Sequence, residues 1–185
     1  MEIRVRSVCP EKNLLLGRLL GEIGGNVVLS LEEGSLEVPC TLIRDDEAGV
    51  FLVSLYVYAK ISGAKTLVVG VDPGASFTGV VAILDGYIVY RGVFHSLERL
   101  ADAVVAAVDI VDSVTVYVGG SKVAAGLIEK LRSRGIDVHV VPEDVPGRSL
   151  EYLGWKKENK HVRDALKIAL AGMYMELKAR GRGGR

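Results

Sequence analysis

The chain has 185 residues, of which 49% are hydrophobic and 25% charged, enough for one domain plus a small appendage. This composition excludes a disordered or fibrous chain, and no apolar run reaches the ~20 residues of a membrane span. Basic and acidic residues balance at 23 each. The start Met1-Glu-Ile-Arg-Val-Arg-Ser lacks the apolar core of a signal peptide, so a cytoplasmic location is expected.

In chain order, residues 2–8 alternate as a strand does, and residues 11–23 carry Leu14, Leu15, Leu19 and Ile23 at helical spacing, closed by Gly24-Gly25. Residues 27–31 and 36–44 read as strands around a Glu33-Gly34-Ser35 turn. Residues 50–60 form an apolar run whose period fits a helix or a strand. A boundary is expected at Ser62-Gly63, which divides a small N-terminal α+β module (1–62), of no evident chemistry, from a main domain over 65–180. The Gly- and Arg-rich residues 181–185 are expected to be a flexible basic tail.

The main domain is more legible. Residues 67–72 are apolar until the last, the pattern of a strand buried on both faces. Residues 77–84 are a second strand, and Asp85-Gly86 is a two-residue hairpin turn. Residues 87–94 return as an alternating strand, with Ile88, Tyr90, Gly92 and Phe94 assigned to one face. Ser96 caps a helix to about residue 111, residues 114–118 are a fourth strand, and Ser121 caps a helix ending at Gly135. Residues 136–141 are a fifth strand, and Asn159 caps a last helix to about residue 179. The result is an α/β fold: a five-stranded mixed sheet of order 3-2-1-4-5, flanked by helices, with the apolar first strand central.

Cys9 and Cys40 have no CxxC or histidine neighbour, so zinc is not expected there. They read as buried thiols. The chain has three Asn and no Gln, a thermophile trait, and in a hyperthermophile a Cys9–Cys40 disulfide is the open alternative. His95 and His139 read as structural. Residues 148–185 hold 10 basic and 4 acidic residues, against 6 and 9 in residues 1–60 and 7 and 10 in 61–147. The positive charge therefore gathers at the C-terminal end, which fits either a polyanion partner or the solvated Lys and Arg of a helix face.

Asp72 ends the central apolar strand, beside the crevice where open α/β sheets place ligands. A carboxylate there is costly unless solvated, paired or metal-bound, although Asp also favours the turn that Asp72-Pro73-Gly74 begins. His161 and Asp164 stand three apart on the last helix, hence on one face. Glu143-Asp144 follows the fifth strand, either as ligands or as a solvated loop pair.

Val69-Gly-Val-Asp-Pro-Gly-Ala-Ser-Phe-Thr-Gly79 and His161-Val-Arg-Asp-Ala-Leu-Lys-Ile-Ala169 resemble, in that order, the first strand and the last helix of the RuvC/YqgF-like branch of the ribonuclease H-like superfamily. The resemblance spans residues 65–180. It implies a ribonuclease H-like fold and a Mg²⁺- or Mn²⁺-dependent nuclease of structured DNA or RNA, acting as a homodimer. Asp72, His161, Asp164 and Glu143 or Asp144 would then be the catalytic and metal residues. Lys156, Lys157, Lys160, Arg163 and Arg148 would hold the phosphate backbone, the alternative for the lysines being a solvated helix start, and Tyr152 and Trp155 would either stack on bases or serve as core or hinge residues. The chain departs from the resolvase pattern at the end of the fourth strand, where Val118-Gly119-Gly120-Ser121 carries no carboxylate. Two other readings stand beside this one. The first is a non-catalytic ribonuclease H-like scaffold. The second is an ATP-binding relative of the actin-like ATPases, because Asp72-Pro-Gly with a hairpin also resembles their first phosphate loop.

Overall fold

The computed structural model describes residues 2–23, 27–142 and 158–182. Its larger sheet has five strands: β4 (Thr66–Pro73), β5 (Thr78–Leu84), β6 (Tyr87–Phe94), β7 (Ser113–Gly119) and β8 (Asp137–Val141), in the order β6-β5-β4-β7-β8. β5 is antiparallel to β4 and β6, while β4, β7 and β8 run parallel. This is the strand order expected from the sequence, with the apolar first strand at the centre. Asp85 and Gly86 make the tight hairpin at φ 44° and 89°.

The two faces of the sheet are covered by different helices. Leu67, Val69 and Val71 of β4 and Val80, Ala82 and Leu84 of β5 join the main core, beneath α2 (Glu47–Ser62) and α3 (Leu97–Ala107). Val81 and Ile83 point the other way, onto Val162, Ala165, Leu166 and Ala169 of α5 (Lys160–Arg182). α4 (Ala125–Ser133) packs on α3 and β8. Asp46 caps α2 by accepting from the Gly49 backbone N–H at 3.0 Å, and Ser96 caps α3 by accepting from Arg99 N–H.

The N-terminal segment makes a second sheet of β1 (Ile3–Ser7), β2 (Val27–Leu29) and β3 (Leu36–Val38), with α1 (Asn13–Ile23) connecting β1 to β2. β2 and β3 do not pair with one another as a hairpin would; both run parallel to β1, which lies between them. A turn at Gly34, φ 84°, leads from β2 to β3, and β1, which carries the fully buried Val5, takes the middle place. Residues 40–42 are a 3₁₀ turn, not a strand, and residues 50–60 are helical within α2. One hydrophobic cluster runs from Val5 through α2 to Val138 of β8, so α2 serves both sheets. Cys9 and Cys40 are not free thiols: they form a disulfide, Cα–Cα 5.8 Å.

Two further local readings differ. A bulge between Ala82 and Ile83 shifts the β5–β6 register, pairing Ile83 with Ile88 and Ala82 with Tyr90. An extra residue reverses the alternation, so Ile88 is exposed while Tyr90 and Phe94 are buried. At the other end of the chain α5 continues through Gly181 to Arg182, beyond its expected stop, with Arg180 paired to Glu176 one turn earlier. Adding residues to an established helix carries no nucleation cost.

α5 lies on the sheet at van der Waals distance because two strand positions have no side chain. A Cβ at Gly70 would fall 2.2 Å from the Ala165 carbonyl oxygen, and one at Gly79 would fall 2.1 Å from that of His161. Both obstacles are backbone, which cannot rotate away. Gly70→Ala should therefore destabilise the fold by about 1–3 kcal/mol, as overpacking does. Urea unfolding checks this, and an unchanged midpoint would mean that α5 is free to move off the sheet.

Candidate functional site

Side chains alternate along a strand, so Asp72 shares the α5 face of β4 with Val68 and Gly70. Gly70 receives α5 at Ala165, and Asp72, two residues on, meets the beginning of that helix. Gly79 is the direct partner of Asp72 across the β4–β5 ladder, and its bare face admits the His161 backbone. Asn159 starts the helix, its side-chain oxygen accepting from the His161 N–H at 2.9 Å.

The His161 ring meets Asp72, with Nδ1 2.8 Å from Oδ2. A carboxylate only accepts, so Nδ1–H donates and Nε2 is left to act as a base or a ligand. The Asp72 side chain is 25% exposed and that of His161 38%, shielded yet reachable. One turn along, Lys167 Nζ lies 2.7 Å from Asp164 Oδ1.

Asp72 and Asp164 line one cleft of about 460 Å³, with Pro73, Gly119, Ser121, Pro142, Lys167 and Ile168 among its walls. It lies at the carboxyl ends of β4, β7 and β8, where open sheets bind ligands. Gly119 ends β7, where the sequence carries no carboxylate. A Cβ there would meet Ile168 Cδ1 at 2.9 Å and Pro73 Cδ at 3.5 Å, so Ile168 fills that space.

The expected ligands converge only in part. Asp72 and His161 touch, and Asp72 and Asp164 share a cleft. Yet among the described residues Asp72, His161 and Asp164 do not bring ligand atoms within 4.8 Å of one another; the group that does is Asp137, His139 and Glu176. Glu143, Asp144, Arg148, Tyr152, Trp155, Lys156 and Lys157 lie outside the described residues. Lys160 is exposed and Arg163 half-buried in the first turn of α5. Lys167 was not among the expected site residues, although its position three after Asp164 on one helix face was open to reading.

Asp72 and Asp164 supply the oxygen donors that a hard cation takes. Asp72 and Asp164 each have one oxygen outside these short contacts, and Mg²⁺ binds through one or two carboxylates with water and substrate phosphate. A second ion would need a further carboxylate, and none lines the cleft among the described residues. No described helix is long and apolar enough to cross a membrane.

No protein-family model matches the chain, and no curated protein matches it. Among solved structures it is similar to the Thermus thermophilus RuvC structure, at 16% identity and TM-score 0.44, covering 60% of this chain and 96% of that one. It is also similar to T. thermophilus RuvC in complex with Holliday junction substrate, at 19% identity and TM-score 0.43, with the same coverage.

Proposed function

We propose that the chain is a divalent-metal-dependent nuclease of structured nucleic acid. The observation that supports this most is the contact of Asp72 with His161 at 2.8 Å beside a cleft that Asp164 also lines. Asp72 and Asp164 would hold one Mg²⁺ or Mn²⁺, and Glu143 or Asp144 would complete the set. The ion would supply Lewis-acid stabilisation of charge on the phosphate oxygens.

The chain's own groups supply the rest. Asp72 accepts the His161 Nδ1 proton and so orients the ring. Nε2 can then take the proton of an attacking water, as the base of an Asp–His pair does. Lys167 neutralises Asp164 before substrate arrives and is placed to approach a phosphate oxygen when that carboxylate is engaged elsewhere. Lys160 and Arg163 begin the helix that carries the site and would bind the phosphate backbone. Replacing both with Ala should weaken binding alike for all sequences. On duplex DNA the log–log salt dependence should flatten by roughly 0.9 for each phosphate that the variant no longer neutralises, as a salt titration of binding measures. An unchanged slope would remove them from the interface.

The Lys167–Asp164 ion pair, with Ile168 closing the space beside Gly119, favours a second reading: a ribonuclease H-like module that binds nucleic acid without cutting it. The test is incubation of the full chain with branched DNA, an RNA–DNA hybrid and structured RNA, in Mg²⁺ and in Mn²⁺. Cleavage of any one of them supports the nuclease. Binding without cleavage establishes the scaffold, and ATP hydrolysis in place of either would favour the phosphate-loop relative.

A further inference from the structure

His139 stands in the edge strand β8, two residues after Asp137 and therefore on the same face. Its Nε2 is 2.9 Å from Asp137 Oδ2 and 3.1 Å from Glu176 Oε1 of α5. A ring nitrogen carries one proton or one lone pair, so it cannot satisfy two carboxylate oxygens. A proton on Nε2 goes to Asp137, and Glu176 Oε1 is left sealed from water with no hydrogen-bond donor among the described residues. A buried, unmatched carboxylate oxygen is costly.

The surroundings hold these groups in place. The Tyr117 ring packs against His139, centroids 5.5 Å apart. Arg180 Nη2 lies 3.4 Å from the other Glu176 oxygen, Oε2. Partners of this kind orient metal ligands.

We infer that Asp137, His139 and Glu176 form a separate metal site, for a zinc-like divalent ion, that ties the edge strand β8 to the C-terminal half of α5. Their ligand atoms all lie within 4.8 Å of one another. A tetrahedral ion with bonds of about 2.0–2.1 Å spaces its donors at about 3.3 Å, close to the 2.9 and 3.1 Å separations here. An imidazole with two carboxylates suits zinc or a neighbouring first-row ion better than Mg²⁺ or Ca²⁺. Glu176 follows Asp164 by twelve residues, about 18 Å along the helix, so this ion is independent of the cleft at Asp72.

Equilibrium dialysis of the full chain against Zn²⁺ tests the assignment, with melting followed by far-UV circular dichroism. The wild type should retain one ion through these residues and melt at a higher temperature with it. An Asp72→Asn/Asp164→Asn double variant should do the same. His139→Gln and Asp137→Asn alter half-exposed or exposed side chains and should fold; Glu176→Gln is the third probe. Each should weaken retention by at least the roughly 10–100-fold that even removal of an outer partner costs. The assignment is overturned if the wild type retains no zinc at tens of micromolar. It is equally overturned if the ion survives His139→Gln and Asp137→Asn, or is absent from the double variant alone.

Discussion

Asp72→Asn is expected to leave the chain folded and to lower its cleavage rate by two or more orders of magnitude. That factor corresponds to about 3 kcal/mol or more of transition-state stabilisation. Asn keeps the shape and the β4 backbone, so the pairing of Asp72 with Gly79 is not disturbed. It loses the charge that a cation needs. It also presents an amide in place of an acceptor-only carboxylate, which removes the constraint that keeps His161 Nε2 unprotonated. The two losses act on one residue and share one readout, so His161→Gln separates them. If Asp72 served only to orient the ring, the two variants would be equally slow; if it also binds the ion, Asp72→Asn is slower and its demand for Mg²⁺ rises. Binding of substrate should survive both, because the cations proposed to meet the backbone, Lys160 and Arg163, are not altered. Equal cleavage by wild type and Asp72→Asn would remove Asp72 from the catalytic site.

The second large effect lies far from the cleft. Cys9 and Cys40 close a loop of 31 residues. Loop-closure entropy of the unfolded chain assigns such a link about 3.7 kcal/mol. For a chain of this size each kcal/mol moves Tm by about 2–4 °C, so Cys9→Ser or Cys40→Ser should lower Tm by roughly 7–15 °C. Dithiothreitol should have the same effect on the wild type and none on the variants. The link joins the turns that follow β1 and β3. Lys12 Nζ donates to the carbonyls of Cys40 and Ile43 at 2.7 and 3.1 Å, and these hydrogen bonds resist local opening when the disulfide is cut. A shift under 2 °C would show that the hydrogen bonds hold the junction by themselves. Differential scanning calorimetry with and without reductant measures both values.

The main sheet was legible because each of its strands carries its own message. The apolar run before Asp72 has no polar face, so it belonged at the centre, and Asp85-Gly86 left room for nothing but a hairpin. Asp72 itself was visible as a carboxylate ending such a strand. The N-terminal sheet was not legible: residues 27–29 and 36–38 are each three residues long, and so short a strand does not say which neighbour it will join. The bulge at Ala82/Ile83 was equally silent, since one extra residue reverses the exposure of Ile88 without any change of composition. The two cysteines, 31 residues apart, could be read as thiols or as a pair; only their placement beside one another decided it.

Local pattern therefore determined which residues are strands and helices, the order of the main sheet, and where its acidic end lies, because burial of one face or two is written into the period of the chain. Tertiary structure alone decided which side chains meet. His161 reaches Asp72 across 89 positions because Gly70 and Gly79 let α5 sit on the sheet, and Lys167 holds Asp164 while Ile168 fills the space beside Gly119. His139, which looked structural in a lone strand, meets Glu176 only once α5 has crossed the sheet. Meetings between distant segments depend on how helices settle against strands to within an ångström, and no periodicity along the chain encodes that distance.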